Sequence, residues 1–514
     1  MKDSKNTKNP LKKDHFFIIL LLLWITVLSS ICIGQTNIQS KVELDKAISV
    51  LRNIKYYDKM SDKEMTVKSE QIEKAWKVIK NAGKEGTERI KNEIKNIDSK
   101  KEKDDYFKLS ASAVLWEIGG VSEAETIAEI WRTTSLEVQP GYVFYTAVQA
   151  ASTQDKNVLP MLKACMGNNK LGAKSSIHFI PFPWPTSVEF IWGAYGSKGI
   201  PILLNIMETS KTPIEVASSM YALVRCFDLS ILPKIRQLAK SEEQEIRCMA
   251  LKCLGIYGHP QDFDLLISGL KSNNAEEVFS CAYALYEFED LRAVPFLIPL
   301  IQSKDEKVRG EVIQELCHLI TPASLETIHN YAVEKSKERK GKKDYETLMK
   351  EADFSKPETI KAVEEARNNP IEMEIHQCKE TSDYILRELG LTWDEYAKKN
   401  PKEKDKLISD FWKKNDEKYN LSQKKEKISY DEAVNIINDV KKNGSISKEF
   451  KSKDIISVVT LKDMDLLIDA RASFYKRLSD ECMYDIGDIS KIMKHLARST
   501  YRNKVGIAEK VEAK

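Results

Sequence analysis

The feature that most constrains this chain is its similarity to itself. Four consecutive segments repeat one pattern: GIPILLNIMETSKTPIEVASSMYALVRCF (199–227), SILPKIRQLAKSEEQEIRCMALKCLGIYG (230–258), DFDLLISGLKSNNAEEVFSCAYALYEF (262–288) and AVPFLIPLIQSKDEKVRGEVIQELCHL (293–319). Pro201, Pro233 and Pro295 stand near the start of the first half of a segment. Val216, Ile246, Val278 and Val308 open the second half, which sets a period of about 31 residues. Each half places apolar residues at i, i+3, i+4 and i+7, so each segment is two amphipathic helices. In the fourth, Leu297, Leu300 and Ile301 line one helix, and Val312, Ile313 and Leu316 line the next. A helix pair this small cannot cover its own apolar face, so neighbouring pairs must stack. The expected fold class is all-α: an α-solenoid of stacked antiparallel helix pairs, followed by a separate C-terminal helical region.

The turn inside the fourth pair, Ser303-Lys-Asp-Glu306, fits a capping box in which Ser303 caps the second helix and Glu306 reaches back. The first-helix proline, together with Asp305-Glu-Lys-Val308-Arg309 at the start of the second helix, resembles HEAT repeats, in particular the short bacterial kind named after phycobilisome lyases. Glu245-Ile246-Arg247 matches that opening in part, and Val278-Phe279 lacks the arginine. The resemblance covers roughly 199–324 and implies architecture rather than chemistry.

Upstream the pattern continues less regularly. LSASAVLWEIGG (109–120), ETIAEIWRTT (125–134), YVFYTAVQAA (142–151) and VLPMLKACMG (158–167) read as further amphipathic helices. Pro160 fills the first-helix proline position, but Pro201 follows it about ten residues late. Gly193-Ala-Tyr195-Gly196 and Gly255-Ile-Tyr257-Gly258 lie two periods apart, which makes 188–196 a second helix and puts the surplus at 168–187. That stretch contains SIHFIPFPWPT, where Pro181, Pro183 and Pro185 exclude a helix. Insertions in solenoids map to one face, and prolines reduce the entropy a loop loses on binding. His178, Phe179, Phe182 and Trp184 are therefore the candidate partner-binding residues. Pro160, Pro201, Pro233, Pro295, Val308 and Arg309 are assigned to the repeat framework.

The first 34 residues are of another kind. MKDSKNTKNPLKKDH carries five lysines, FFIILLLLWITV is uninterrupted apolar sequence, and LSSICIG brings small residues up to Gly34. This is the layout of an export signal, or of a membrane anchor over 16–34 if it is not cut; both put the remainder outside the cytosol. The segments expected are 1–34 signal or anchor, 35–104 N-terminal helical cap, 105–334 solenoid, 335–355 charged linker, 356–500 C-terminal helical region and 501–514 disordered tail. In the last region Thr392-Trp-Asp-Glu395 and Ser429-Tyr-Asp-Glu432 read as helix starts, and TLKDMDLLIDARASFYKRL (460–478) as an amphipathic helix. Cys226, Cys248, Cys253, Cys281 and Cys317 sit among Ala, Leu and Val, as small buried hydrophobes do.

Charged residues make up 31% of the chain with a net charge of +3, and the two signs interleave, so a nucleic-acid footprint is not expected. Residues 167–175 resemble a phosphate loop, but the spacing is wrong and no strand precedes it. GxGxxG, GxSxG and HExxH are absent. No catalytic residue, cofactor or metal site is expected. The reading is an exported, non-catalytic HEAT-like scaffold that binds a protein partner. The alternatives are an enzyme or chromophore-binding protein, since members of the resembled lyase group handle tetrapyrrole although repeat similarity does not carry a lyase site over, and an anionic-surface or nucleic-acid binder acting through the lysine-rich C-terminal region.

Overall fold

The computed structural model describes residues 41–53, 62–97, 102–134, 141–166, 186–338, 343, 345–354, 356–418, 425–475 and 480–505. Among these the structure is helical, with no β-strand. Residues 1–34, the segment 168–185 and the tail beyond Val505 lie outside them, and so do His178, Phe179, Phe182 and Trp184. No described helix is long and apolar enough to cross a membrane.

The chain divides into two compact units, 1–226 with 427–493, and 227–426 with 494–514. The C-terminal region expected as one body is thus distributed over both.

The first unit begins with α1 (Lys41–Arg52), α2 (Asp62–Asn81) and α3 (Gly83–Lys95). They pack beside α4 (Glu102–Gly119), with Leu51, Ile79, Ile90 and Phe107 fully buried. Helix pairs follow: α5 (Ala124–Thr133) with α6 (Gly141–Ser152), α7 (Leu159–Met166) with α8 (Thr186–Tyr195), and α9 (Ile200–Thr209) with α10 (Pro213–Arg225). The second helices stack in chain order, α4 on α6, α6 on α8, α8 on α10. The surplus residues fall between α7 and α8, inside one pair.

The second unit continues with α11 (Leu232–Leu238) and α12 (Gln244–Tyr257), then α13 (Phe263–Gly269) and α14 (Ala275–Phe288). The next pair is α15 (Val294–Leu297), prolonged by a 3₁₀ turn to Gln302, with α16 (Glu306–His318). Again the second helices stack, α12 on α14 and α14 on α16. Beyond them come α17 (Pro322–Lys337), α18 (Tyr345–Glu351), α19 (Pro357–Arg367), α20 (Pro370–Leu389), α21 (Trp393–Ala397) and α22 (Pro401–Lys418). The charged stretch expected as linker thus contains α18, which packs on α19 and α20. Returning to the first unit, α23 (Tyr430–Asn443), α24 (Lys448–Ser452) and α25 (Met464–Tyr475) lead to the long α26 (Asp480–Val505).

Pro160, Pro201, Pro233 and Pro295 all occupy the first turn of a first helix. There a missing N–H costs nothing and the fixed φ suits the helix. Val308 is buried, as the repeat pattern requires. The cap of α16 is corrected: Asp305, not Ser303, is the N-cap, and its carboxylate accepts from Val308 N at 3.0 Å. Ser303 instead accepts from Asp305 N one turn earlier, because the helix starts two residues later than the Ser/Glu spacing suggests. Thr392 and Glu395 do form the reciprocal capping box of α21. Cys165, Cys226, Cys248, Cys253, Cys281 and Cys378 are buried, and Cys317 is half-buried.

The most regular element of the array was not read from the sequence. Non-helical corners with positive φ fall at Gln154, Gly196, Phe227, Gly258 and Glu289, the last three each 31 residues after the one before. Only two of the five are glycines, the residue that tolerates this conformation freely. The next residue then caps the 3₁₀ turn leading into the following first helix. Asp155, Asp228, His259 and Asp290 each accept from the backbone N–H two residues on.

Candidate interaction surface on the second helices

Contacts between neighbouring pairs fix the second helices in register. Arg247, at the start of α12, donates to Glu277 of α14 at 2.6 Å and to the carbonyl of Ser241 in its own turn. Arg309 in α16 repeats this six-residue reach back to Ser303 O, at 3.0 Å. Its forward partner is Glu374 of α20, at 2.8 Å. Glu374 also accepts from the hydroxyl of Tyr331, and both members of the ion pair are largely buried. So Arg309, singled out from sequence, is a clamp between repeats. Where that arginine is replaced by Phe279, the ammonium of Lys252 lies 4.7 Å from the Phe279 ring. The first helices carry their own link, a bidentate Arg236–Asp262 pair at 2.7 and 3.0 Å.

The glycines shared by residues 193–196 and 255–258 have separate tasks. At Gly255 a Cβ would stand 2.1 Å from the carbonyl oxygen of Ala284, so α12 and α14 approach backbone to backbone. Tyr257, fully buried, donates its hydroxyl to the carbonyl of Asp228 at 2.5 Å. At Gly193 the Cβ space is filled by the Tyr475 ring of α25, and at Gly196 by the Asp469 carboxylate. Asp469 accepts from Ser197 N at 3.0 Å, so at this corner a carboxylate is brought in from a distant helix.

Two buried arginines finish other helix ends. In the first unit Arg471, 1% exposed, donates to the carbonyl of Arg225 at 2.9 Å, at the C-terminus of α10. In the second unit Arg498, 2% exposed, donates to the carbonyls of Gly255, Ile256 and Glu287 at 3.2, 3.1 and 2.6 Å. A guanidinium there meets the negative end of the helix dipole and the last unpaired carbonyls. Sequence reasoning missed Asp469, Arg471 and Arg498, since each acts on residues more than 200 positions away.

The second helices of the second unit also carry a dense group of ionisable side chains. Lys252 of α12 lies 3.9 Å from Glu276 of α14. Lys494 of α26 lies 3.8 Å from Glu287 and 2.7 Å from Glu289, and Arg498 lies 3.3 Å from Glu289. The Tyr286 ring packs at a tilt against that of His318, the last residue of α16, with centroids 4.8 Å apart. Glu311 and Glu315 sit one turn apart on α16. Glu315 is fully buried, and neither of its carboxylate oxygens has a hydrogen-bond partner. Burial, and then Glu311, push its carboxyl well above the usual range. Glu311 is pushed up to about 7, by burial first, with Lys252 opposing and Glu287 adding. Burial also lowers Lys252, Lys494 and His318. Among the described residues no three His, Cys, Asp or Glu side chains are grouped so as to hold a metal ion.

No family model and no curated protein matches the chain. Among solved structures it is similar to an engineered protein from a structural genomics programme, at 14% identity and a TM-score of 0.28, over 66% of this chain and 99% of that one. It is also similar to the Pds5–Scc1 complex, described for its implications for cohesin function, at 11% identity and a TM-score of 0.19, over 97% of this chain and 90% of that one. The assignment as an array of HEAT-like helix pairs rests on the chain's own repeats.

Proposed function

We propose that this protein is a non-catalytic helical-repeat scaffold that holds a protein partner outside the cytosol. The observation that carries the reading is the stacking of successive second helices within each unit, reinforced in the second unit by Arg247–Glu277 and Arg309–Glu374, which lines up a face of side chains in each. Repeat proteins use such faces for binding. The Pro-aromatic segment interrupts the pair α7–α8, where an insertion adds reach without disturbing the stack. His178, Phe179, Phe182 and Trp184 are its proposed anchors, as large side chains suited to a desolvated contact. Export rests on the basic and then apolar first 34 residues. The resemblance to phycobilisome-lyase repeats is taken as one of architecture alone.

Immobilised full-length protein, cross-linked in an extract of the cells that make it, should retain a partner at stoichiometric level. Deleting 176–186 should abolish retention while circular dichroism and melting stay unchanged. Retention unaffected by the deletion removes the loop from the interface, and no retained protein removes the scaffold reading. Mass spectrometry of the mature chain tests export: an N-terminus at Gln35 is expected after cleavage, whereas an intact chain in a soluble cytosolic fraction contradicts it.

A further inference from the structure

The ionisable group on α12, α14 and α16 is unbalanced in a specific way. Lys252 faces Glu276; Lys494 and Arg498 face Glu287 and Glu289. Three cations thus stand against three carboxylates. Glu311 must share Lys252 with Glu276, and Glu315 behind it has no cation and no hydrogen-bond partner for either oxygen. A buried carboxylate without a partner is costly, and the usual resolutions are a proton or a cation. The position is not sealed. Glu311, Tyr283, Tyr286 and Glu287 are half-buried, and His318 is exposed, so solvent reaches Glu311, with Glu315 one helical turn behind it.

We propose that Glu311 and Glu315, beside Tyr286, form a site for a lysine or arginine side chain of a protein partner, taken up in exchange for a proton. This rests on the scaffold reading and names the chemistry its partner presents. The exchange balances: a neutral carboxyl releases H⁺ to solvent, and the resulting carboxylate is compensated by the incoming ammonium or guanidinium. With Glu311 pushed up to about 7, the proton is held below neutrality and given up above it. The cation is therefore bound more tightly as pH rises.

The groups that face the site are few. From α12 they are Lys252 and Cys248, the thiol raised first by burial. From α14 they are Cys281, Tyr286 and Glu287, the first two also raised first by burial. From α26 there is Lys494. On α17 and α20, Tyr331 and Glu374 are turned to Arg309 instead. Of these neighbours His318 is the one whose ordinary range overlaps the window, so it needs its own control.

The test uses full-length protein and a fluorescein-labelled hexalysine amide, read by fluorescence anisotropy at fixed salt between pH 6 and 8. The peptide should bind about tenfold more tightly at pH 8 than at pH 6. Glu311→Gln and Glu315→Gln should each weaken binding at pH 8 at least tenfold and flatten the pH profile. Glu306→Gln, which removes an exposed charge from the same helix, should change affinity less than twofold, and His318→Gln should keep the pH dependence. Unchanged affinity and slope in Glu311→Gln, or no hexalysine binding at all, overturns the proposal. If Glu315→Gln fails to fold, the half-buried Glu311 decides alone. A partner retained from extract by a chain that ignores hexalysine sinks this site and leaves the scaffold reading. Hexalysine binding with the stated pH profile, but no partner retained, does the reverse.

Discussion

Single residues carry the register of this array. Gly258 combines a φ of +60° with a Cβ direction that points at the Arg498 guanidinium, 2.9 Å away. Gly258→Ala should cost about 1–3 kcal/mol, from the left-handed backbone and the displaced arginine together, measured by urea unfolding. Gly255→Ala should cost more, since its neighbour is the backbone of Ala284 rather than a movable side chain. An unchanged midpoint in Gly255→Ala would show that α12 and α14 do not approach as described. Glu311 makes a separate prediction in pH. Its folded-state value of about 7 lies above the ordinary 4.5, so the folded chain binds that proton more tightly than the unfolded chain does. The contribution is complete below about pH 4.5 and is lost as pH rises through 7, at most about 3 kcal/mol. Unfolding wild type and Glu311→Gln at pH 5.5 and 8 checks this; the decline should shrink in the variant.

At the scale of helices, the two arginine clamps look alike in sequence and differ in depth. Arg309–Glu374 is almost fully enclosed, with side chains 11% and 6% exposed; Arg247–Glu277 is wetter, at 24% and 20%. Arg309→Met should destabilise by about 3–5 kcal/mol, because Glu374 is then buried without its cation. Arg247→Met should cost about 1 kcal/mol or less. Equal effects in chemical denaturation would contradict this difference. The helix pairs themselves were legible because apolar spacing at 3.6 survives in every segment, with a first-helix Pro in three of the four and a Val or Ile opening each second helix. The five left-handed corners were not, because Gln154, Phe227 and Glu289 give no compositional sign of that conformation. Nor did the sequence around Arg471 announce its place. In LLIDARASFY an arginine reads as the solvated side of an amphipathic helix, yet it is buried against the end of α10.

For the whole molecule, local patterns foretold the repeats and nothing local foretold their completion. Residues 427–475 have no 31-residue period, yet in the first unit they supply the Tyr475 ring and the Asp469 carboxylate for which Gly193 and Gly196 leave space. Truncation before 427 should therefore leave the apolar flank of α8 uncovered and raise binding of a hydrophobic dye, measured by fluorescence at 25 °C. A truncated chain with wild-type dye binding and melting would show that α25 adds nothing there. The sequence-based candidates His178, Phe179, Phe182 and Trp184 lie outside the described residues, while the ionisable group at Glu311 and Glu315 emerged only once three helices separated in sequence were brought side by side.

The carboxylate that Asp469 lends to Ser197 comes from 272 residues further along the chain. At ribosomal speeds of roughly 5–20 residues per second, that distance is a wait of some 10–60 s. Throughout it the nascent polypeptide has the corner at Gly196 without its acceptor and α8 without its cover. A chain assembled in this order completes that corner only after its distal residues have been made.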